Sequence, residues 1–402
     1  PFTDGLLQVI EQALAFARNN DGNSAIAILE AITVTCIDEW DDISDYGGDS
    51  FGIAESLNAA WTEAILSAEL VPAEVVDLQV NLSAWQEALD TDFSMSLAAL
   101  QQGWTDPDLQ RALQGEDYAN PEEVDLLFAD ELALIRLQIL DRQGRQQEYL
   151  NLARAEGLML QYLTRLAEMG NIDAAMTAAR SQMATAEEAF ALAKTLRESN
   201  HLPEALEIAQ AGLPLPGTSR YNLASWTSEL AAGLGHQDLA LESSQLAFEL
   251  HPSFANYQQV AQFASNHWDT VKPDLLKILR QSENWGAPNA KVDIFLHEGM
   301  IEDAMQAVRS DNYYRSELVN RVMQAAIPTH PDWVIESARE RAEPIMEQGK
   351  ADRYQDAVNW LKQAKAAYLQ AEQQATWMTY FSQLKSKYSR KRKLMDLFNQ
   401  LR

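Results

Sequence analysis

Apolar residues recur three and four positions apart along most of the chain, in runs of helix length broken by short polar or Gly/Asn turns. That spacing predicts amphipathic helices. No alternating Val/Ile/Thr run of strand length with hairpin turns stands out. A first helix is expected over 2–18, with Leu6, Leu7, Ile10, Ala13, Leu14 and Phe16 as its apolar stripe. Residues 19–24 read as a turn. Ser24 is expected to cap a helix over 25–37 that sets Ala25, Ile28, Leu29 and Ile32 on one face. Further helices are predicted over 53–68, over 72–89 with Pro72 in the first turn, over 93–103, and from Pro107. After a break at 115–121, another should run over 122–142 and end at the turn 142–145. Tyr354 to Gln370 is strongly amphipathic through Ala357, Trp360, Leu361, Ala364, Ala367 and Tyr368. Two short helices, 373–388 and 391–401, should close the chain.

A phrase repeats within this pattern. A Gly or Asn is followed, five residues on, by a small or apolar residue that opens an Ala-rich run. It reads GNIDAA from Gly170 to Ala175, NHLPEA from Asn200 to Ala205, GHQDLA from Gly235 to Ala240 and GMIEDA from Gly299 to Ala304. Degenerate copies run from Asn266 to Val271 and from Thr329 to Val334. The end points lie 30 to 35 residues apart, the period of stacked helical hairpins. Gly or Asn accepts the left-handed conformation that ends a helix. The apolar residue two places on (Ile172, Leu202, Ile301) should pack into the corner, and the small Ala lets two helices approach closely. Pro273 and Pro288 are expected to punctuate the array. The fold class predicted is therefore all-α: a right-handed α-α superhelix, a TPR-like solenoid of helical hairpins. The organisation expected is an acidic helical subdomain over 1–115, a connecting helix over 116–145, repeats over 146–372, and capping helices with a basic tail over 373–402.

Composition adds charge to this picture. The net charge is -28, and residues 1–150 carry 29 Asp/Glu against 5 Lys/Arg. No Lys, Arg or His occurs between Asn19 and Gln110. Phosphate backbones are held by Lys and Arg, so this stretch should repel nucleic acid. It reads either as a face for a basic partner or cations, or as a solubilising surface. No apolar run reaches membrane-spanning length, the first residues show no export signal, and a single cysteine fits a reducing cytoplasm. The start at Pro1 suggests a fragment or a processed chain. Cys36 is the only cysteine, which excludes an internal disulfide.

Recognisable catalytic chemistry is missing. The histidines at 201, 236, 251, 267, 297 and 330 form no pair at metal-ligand spacing with one another or with Cys36. Several fall in the turn phrases, where a surface or capping role is expected. His297-Glu298 lacks the second His of a zinc-protease helix, because Ile301 stands there. Gly349-Lys350 has Pro344 where a phosphate loop needs Gly, and no nucleophile elbow occurs. An acidic loop of Asp38, Glu39, Asp41, Asp42, Asp45 and Asp49 has the oxygen ligands of a hard-cation site but fails the calcium-loop pattern. Such charge runs are ordinarily solvated. The tail reverses the sign: Lys385, Lys387, Arg390, Lys391, Arg392 and Lys393 place six bases in nine residues. It reads as a contact for nucleic acid or an acidic protein, or as a clamp onto the chain's own acidic surface. Tyr380 and Tyr388 could stack on bases, yet Trp377, Tyr380, Phe381 and Leu384 share helical spacing and read as core.

Several longer strings carry a resemblance. They are AIAILEAI from Ala25 to Ile32, GRQQEYLNLA from Gly144 to Ala153, VDIFLHEG from Val292 to Gly299 and IPTHPDWV from Ile327 to Val334. AEPIMEQGK from Ala342 to Lys350, AVNWLKQAKAAY from Ala357 to Tyr368 and RKRKL from Arg390 to Leu394 extend the match. Together they resemble the bacterial SWIM-type zinc-finger proteins, in the helical region that follows the finger. The finger needs Cys-x-Cys and Cys-x-His, which a chain with Cys36 alone cannot supply. The resemblance thus implies zinc only in a finger outside this chain, a cytoplasmic bacterial protein, and an assembly role for the helical region. No active-site residue is carried over. The expected function is a non-enzymatic helical scaffold that binds another protein, with no cofactor in this chain. The alternative is nucleic-acid contact through the basic tail and an upstream finger.

Overall fold

A computed structural model of the chain describes residues 2–39, 50–116, 128–283, 286–309 and 316–401. Every regular element among the described residues is a helix. Two compact units divide at Gly217, Pro1–Gly217 and Thr218–Arg402, inside the span that reads as one run of repeats.

In the first unit, helices Phe2–Arg18 and Gly22–Asp38 form a hairpin that packs on Ser50–Ser67. Pro72–Ala88 lies against Gly22–Asp38 and Ser94–Gln102. Serial stacking then sets in. Ala129–Arg142 packs on Gln146–Ala155, that helix on Met159–Glu168, and Met159–Glu168 on both Ile172–Gln182 and Ala186–Glu198. Leu202–Gly212 closes on the last two. The second unit repeats the rule. Gln237–Leu250 packs on Arg220–Gly233, Phe254–Ala264 and Trp268–Gln281. Ala287–His297 touches the Ile301–Ala307 helix that follows and Ser316–Ala326 beyond it. Ser316–Ala326 in turn touches Pro331–Gln348 and Tyr354–Gln370. Contact with the next helix and the next but one is what hairpins too apolar to stand alone must make. One apolar core accordingly joins described residues from Phe248 to Leu401.

The corners are built alike. Gly170, Asn200, Gly235 and Gly299 all adopt left-handed backbone, with φ of 77, 64, 85 and 70°. At each, the next residue's N–H reaches back to a carbonyl five positions earlier: Asn171 to Leu166 (2.9 Å), His201 to Leu196 (2.8 Å), His236 to Ala231 (2.8 Å), Met300 to Phe295 (2.7 Å). This double closure satisfies the orphan carbonyls of the helix end. Ala175, Ala205, Ala240 and Ala304 are fully buried, as close helix approach requires. The same closure recurs at Asn20, Gly144, Gly157 and Glu372. Gly235→Ala places a Cβ in left-handed backbone and is expected to cost about 1–2 kcal/mol. Gly235→Asn should cost clearly less, because Asn200 already fills the equivalent corner. Paired chemical melts of the two variants check this.

Several local expectations are corrected. Asp21, not Ser24, caps the second helix: its carboxylate accepts the Ser24 N–H at 3.1 Å, and the helix starts at Gly22. A Cβ on Gly22 would sit 2.4 Å from the Ala68 nitrogen, so the two helix ends approach through that glycine. Phe16 is 43% exposed, because fully buried Ala17 holds that place in the stripe. Pro273 does not punctuate: it lies inside Trp268–Gln281, in the second turn, where its missing N–H leaves only the Asp269 carbonyl without a donor. Pro288 does sit at the start of its helix. The degenerate copies lack the corner. Asn266 falls in a 3-10 turn, Ser265–His267, and Thr329 is not left-handed. Val271 and Val334 are nevertheless buried, so they hold the packing role of the Ala. Of the helix expected over 122–142, Ala129–Arg142 is described.

Candidate interaction surfaces

The basic tail is partly spent inside the fold. Helix Gln374–Lys387 buries Trp377, Tyr380, Phe381 and Leu384, as their spacing predicts. Trp377 stacks on Phe381 with ring centroids 5.3 Å apart. The buried Tyr380 hydroxyl donates to Glu343 at 2.9 Å while the Arg339 guanidinium covers its ring. Burial and that carboxylate push the phenol well above its ordinary range. Tyr388 is also buried, so neither tyrosine is offered to a base. Lys385 lies over the Phe381 ring at 4.4 Å.

Lys387 pairs with Glu347 at 2.7 Å, and their hydrogen bond raises the ammonium's pKa and lowers the carboxyl's. Both side chains are exposed, so this pair contributes little stability. Lys391 donates to the main-chain carbonyls of Met346 and Glu347. These end helix Pro331–Gln348, where Gly349 is left-handed. A cation belongs there, at the negative end of the helix dipole. Lys387 thus meets an acid of the chain's own surface, whereas Lys391 meets main-chain carbonyls. Arg390, Arg392 and Lys393 remain exposed at the head of Arg392–Leu397.

The acidic residues divide as well. Asp38 and Glu39 are exposed at the end of Gly22–Asp38, whereas Asp41, Asp42, Asp45 and Asp49 lie outside the described residues. Among the described residues, no three His, Cys, Asp or Glu side chains group as metal ligands. Cys36 is 2% exposed, and burial pushes its thiol up to about 11, so it suits the core and not a metal. Among the described residues of the first unit, Glu63 is the one buried acid. Its carboxylate is held by Arg142, 79 positions away, with Arg18 at 3.7 Å. Three helices are tied at that point, and no periodicity could have signalled it.

In the second unit, Glu298 gathers the Tyr257 hydroxyl (2.9 Å) and the Lys272 ammonium. Burial raises the carboxyl's pKa, but hydrogen bonds from Lys272 and Tyr257 outweigh it and the net direction is down. The phenol of Tyr257 is pushed up by burial and by that carboxylate. Glu298 thus stays ionised as a brace between three helices and does not have the raised pKa of a general acid. Its stabilisation is present above the unfolded pKa and is lost as pH falls through the folded one. Glu298→Gln should cost about 1–2 kcal/mol near neutrality. The deficit should shrink as pH falls below the usual glutamate range, which urea melts across pH will show.

The histidines occupy helix ends. His201, His236 and His330 stand at N-cap positions, but none of the three caps its helix through the side chain. His330 instead meets the Thr329 hydroxyl at 2.9 Å. No helix among the described residues is long and apolar enough to cross a membrane.

No family model matches the chain, and no curated protein matches it. Among solved structures, it aligns with the TPR domain of P58(IPK) at 15% identity, covering 100% of this chain and 97% of that one, with a TM-score of 0.24. At that score the superposition is too loose to argue from. The class, an all-helical protein of serially stacked hairpins, rests on the corners and neighbour contacts of this chain itself.

Proposed function

We propose that the chain is a non-enzymatic helical-repeat scaffold that binds another protein. The supporting observation is the serial packing of hairpins, in which helices touch the next and the next but one along the chain. Such arrays hold partners along extended surfaces. The strings from Ala25–Ile32 to Arg390–Leu394 support a place among cytoplasmic SWIM-type zinc-finger proteins, with the scaffold positioning a finger outside this chain. Nucleic-acid contact through Arg390, Arg392 and Lys393 is the second reading, since these three are exposed. Lys391 is a poor probe of it, being a structural cap.

Capture on the full-length protein from its native cells tests the scaffold reading. Retention of a defined protein partner is expected, unaffected by nuclease. Retention that nuclease abolishes, and that Arg390→Glu with Arg392→Glu and Lys393→Glu also abolishes, would replace it with the second reading.

A further inference from the structure

Helix Pro72–Ala88 has two apolar sides. Leu78, Leu82 and Trp85 face inward, with Leu82 fully buried and Trp85 against Trp61 at 5.5 Å. The opposite side carries Ala73, Val76, Val80, Ala84 and Ala88 at i, i+3 and i+4 spacing, all exposed. Val76 is 58% and Val80 63% exposed, and Val71 at the N-cap is 56% exposed. A helix loaded on both sides is ordinarily covered on both. The outward stripe is about 22 Å long, room for three to four turns of a partner helix.

Its borders name the occupant. Glu69, Glu74, Asp77, Glu87, Asp90 and Asp92 are all exposed around it. No Lys, Arg or His lies between Asn19 and Gln110 to neutralise them in sequence. Glu74 accepts the Val71 N–H at 2.9 Å, which holds it at the head of the stripe. Like charges facing each other across an interface are repelled. Two copies paired through this face would set one acidic border against another, and an anionic bilayer or a nucleic acid would be repelled too. What fits is an apolar stripe bordered by cations. We infer that the outward face of Pro72–Ala88 docks an amphipathic helix of a partner protein whose apolar side is flanked by Lys and Arg.

This inference rests on the scaffold reading and assigns it a surface. Two synthetic helical peptides probe it: one with Leu at i, i+3, i+4 and i+7 flanked by Lys and Arg, and a twin with Glu in place of the bases. Fluorescence anisotropy with the full chain should show binding of the basic peptide only, weakened by salt. Val76→Asp with Val80→Asp should lower that affinity about tenfold or more. Circular dichroism of the variant should be unchanged, since both valines are exposed. Asp77→Lys with Glu87→Lys should turn the preference toward the acidic twin.

Equal binding by wild type and the Val76/Val80 variant would overturn the inference, as would no binding of the basic peptide. A dimer in sedimentation that Val76→Asp with Val80→Asp dissolves would overturn it in favour of a second copy. If native capture retains the same partner on wild type and on this variant, the scaffold stands and this surface falls. If capture retains no protein while the basic peptide still binds here, the reverse holds.

Discussion

Trp61→Ala will lower the unfolding free energy of the first unit by about 3–5 kcal/mol. Trp61 is fully buried in helix Ser50–Ser67, against Trp85. Its indole N–H donates to the Thr33 hydroxyl at 3.0 Å, which itself donates to the Leu29 carbonyl at 2.8 Å. Truncation leaves a large cavity and removes the indole's hydrogen bond, while the Thr33 hydroxyl keeps its bond to Leu29. Thr33→Val tests the polar part alone: it leaves the buried indole without an acceptor and should cost about 1–3 kcal/mol. Urea melts followed by far-UV circular dichroism separate the two, because the cavity and the lost hydrogen bond act on different parts of the same side chain.

Arg142→Met will cost about 3 kcal/mol, more than Glu63→Gln. The carboxylate of Glu63 is 6% exposed, and Arg142 is its closer cation. Without Arg142, the charge stays buried with only Arg18 at 3.7 Å. Glu63→Gln removes the charge itself and keeps an oxygen for the guanidinium. Urea melts in which Glu63→Gln proves the costlier change would contradict this account of the tie. The double variant should recover part of the Arg142→Met loss, as a coupled pair does.

The hairpin corners were legible because their physics is local. A left-handed position needs Gly or Asn, the next turn admits an acid, and the first helix contact needs a small residue; GNIDAA and NHLPEA say all of this in six letters. Glu372 and Asp90 show the limit, since both are left-handed without being Gly or Asn. Tyr354–Gln370 was legible from its stripe alone, and each residue of that stripe is buried. Pro273 misled because a proline past the first turn removes a single hydrogen bond, to Asp269, and here the helix continues through it. The tie of Glu63 to Arg142 and the grip of Lys391 on Met346 were hidden. Each joins residues far apart in the chain, and charge counts cannot distinguish a clamp from a contact. The outer face of Pro72–Ala88 was visible in principle: Val76 and Val80 stand four apart, off the Leu78, Leu82 and Trp85 side.

Hydrogen exchange on the Gly299→Val variant tests the serial architecture most directly. A β-branched residue at that left-handed corner strains it locally. Each hairpin of a linear stack leans on its neighbours, so damage should fade with distance along the chain. Amides of Ala287–His297 and Ile301–Ala307 should lose most protection, those of Ser316–Ala326 less, and those of Arg220–Leu250 almost none. An equal loss of protection across the whole second unit, from Arg220 to Leu401, would contradict stacking in series.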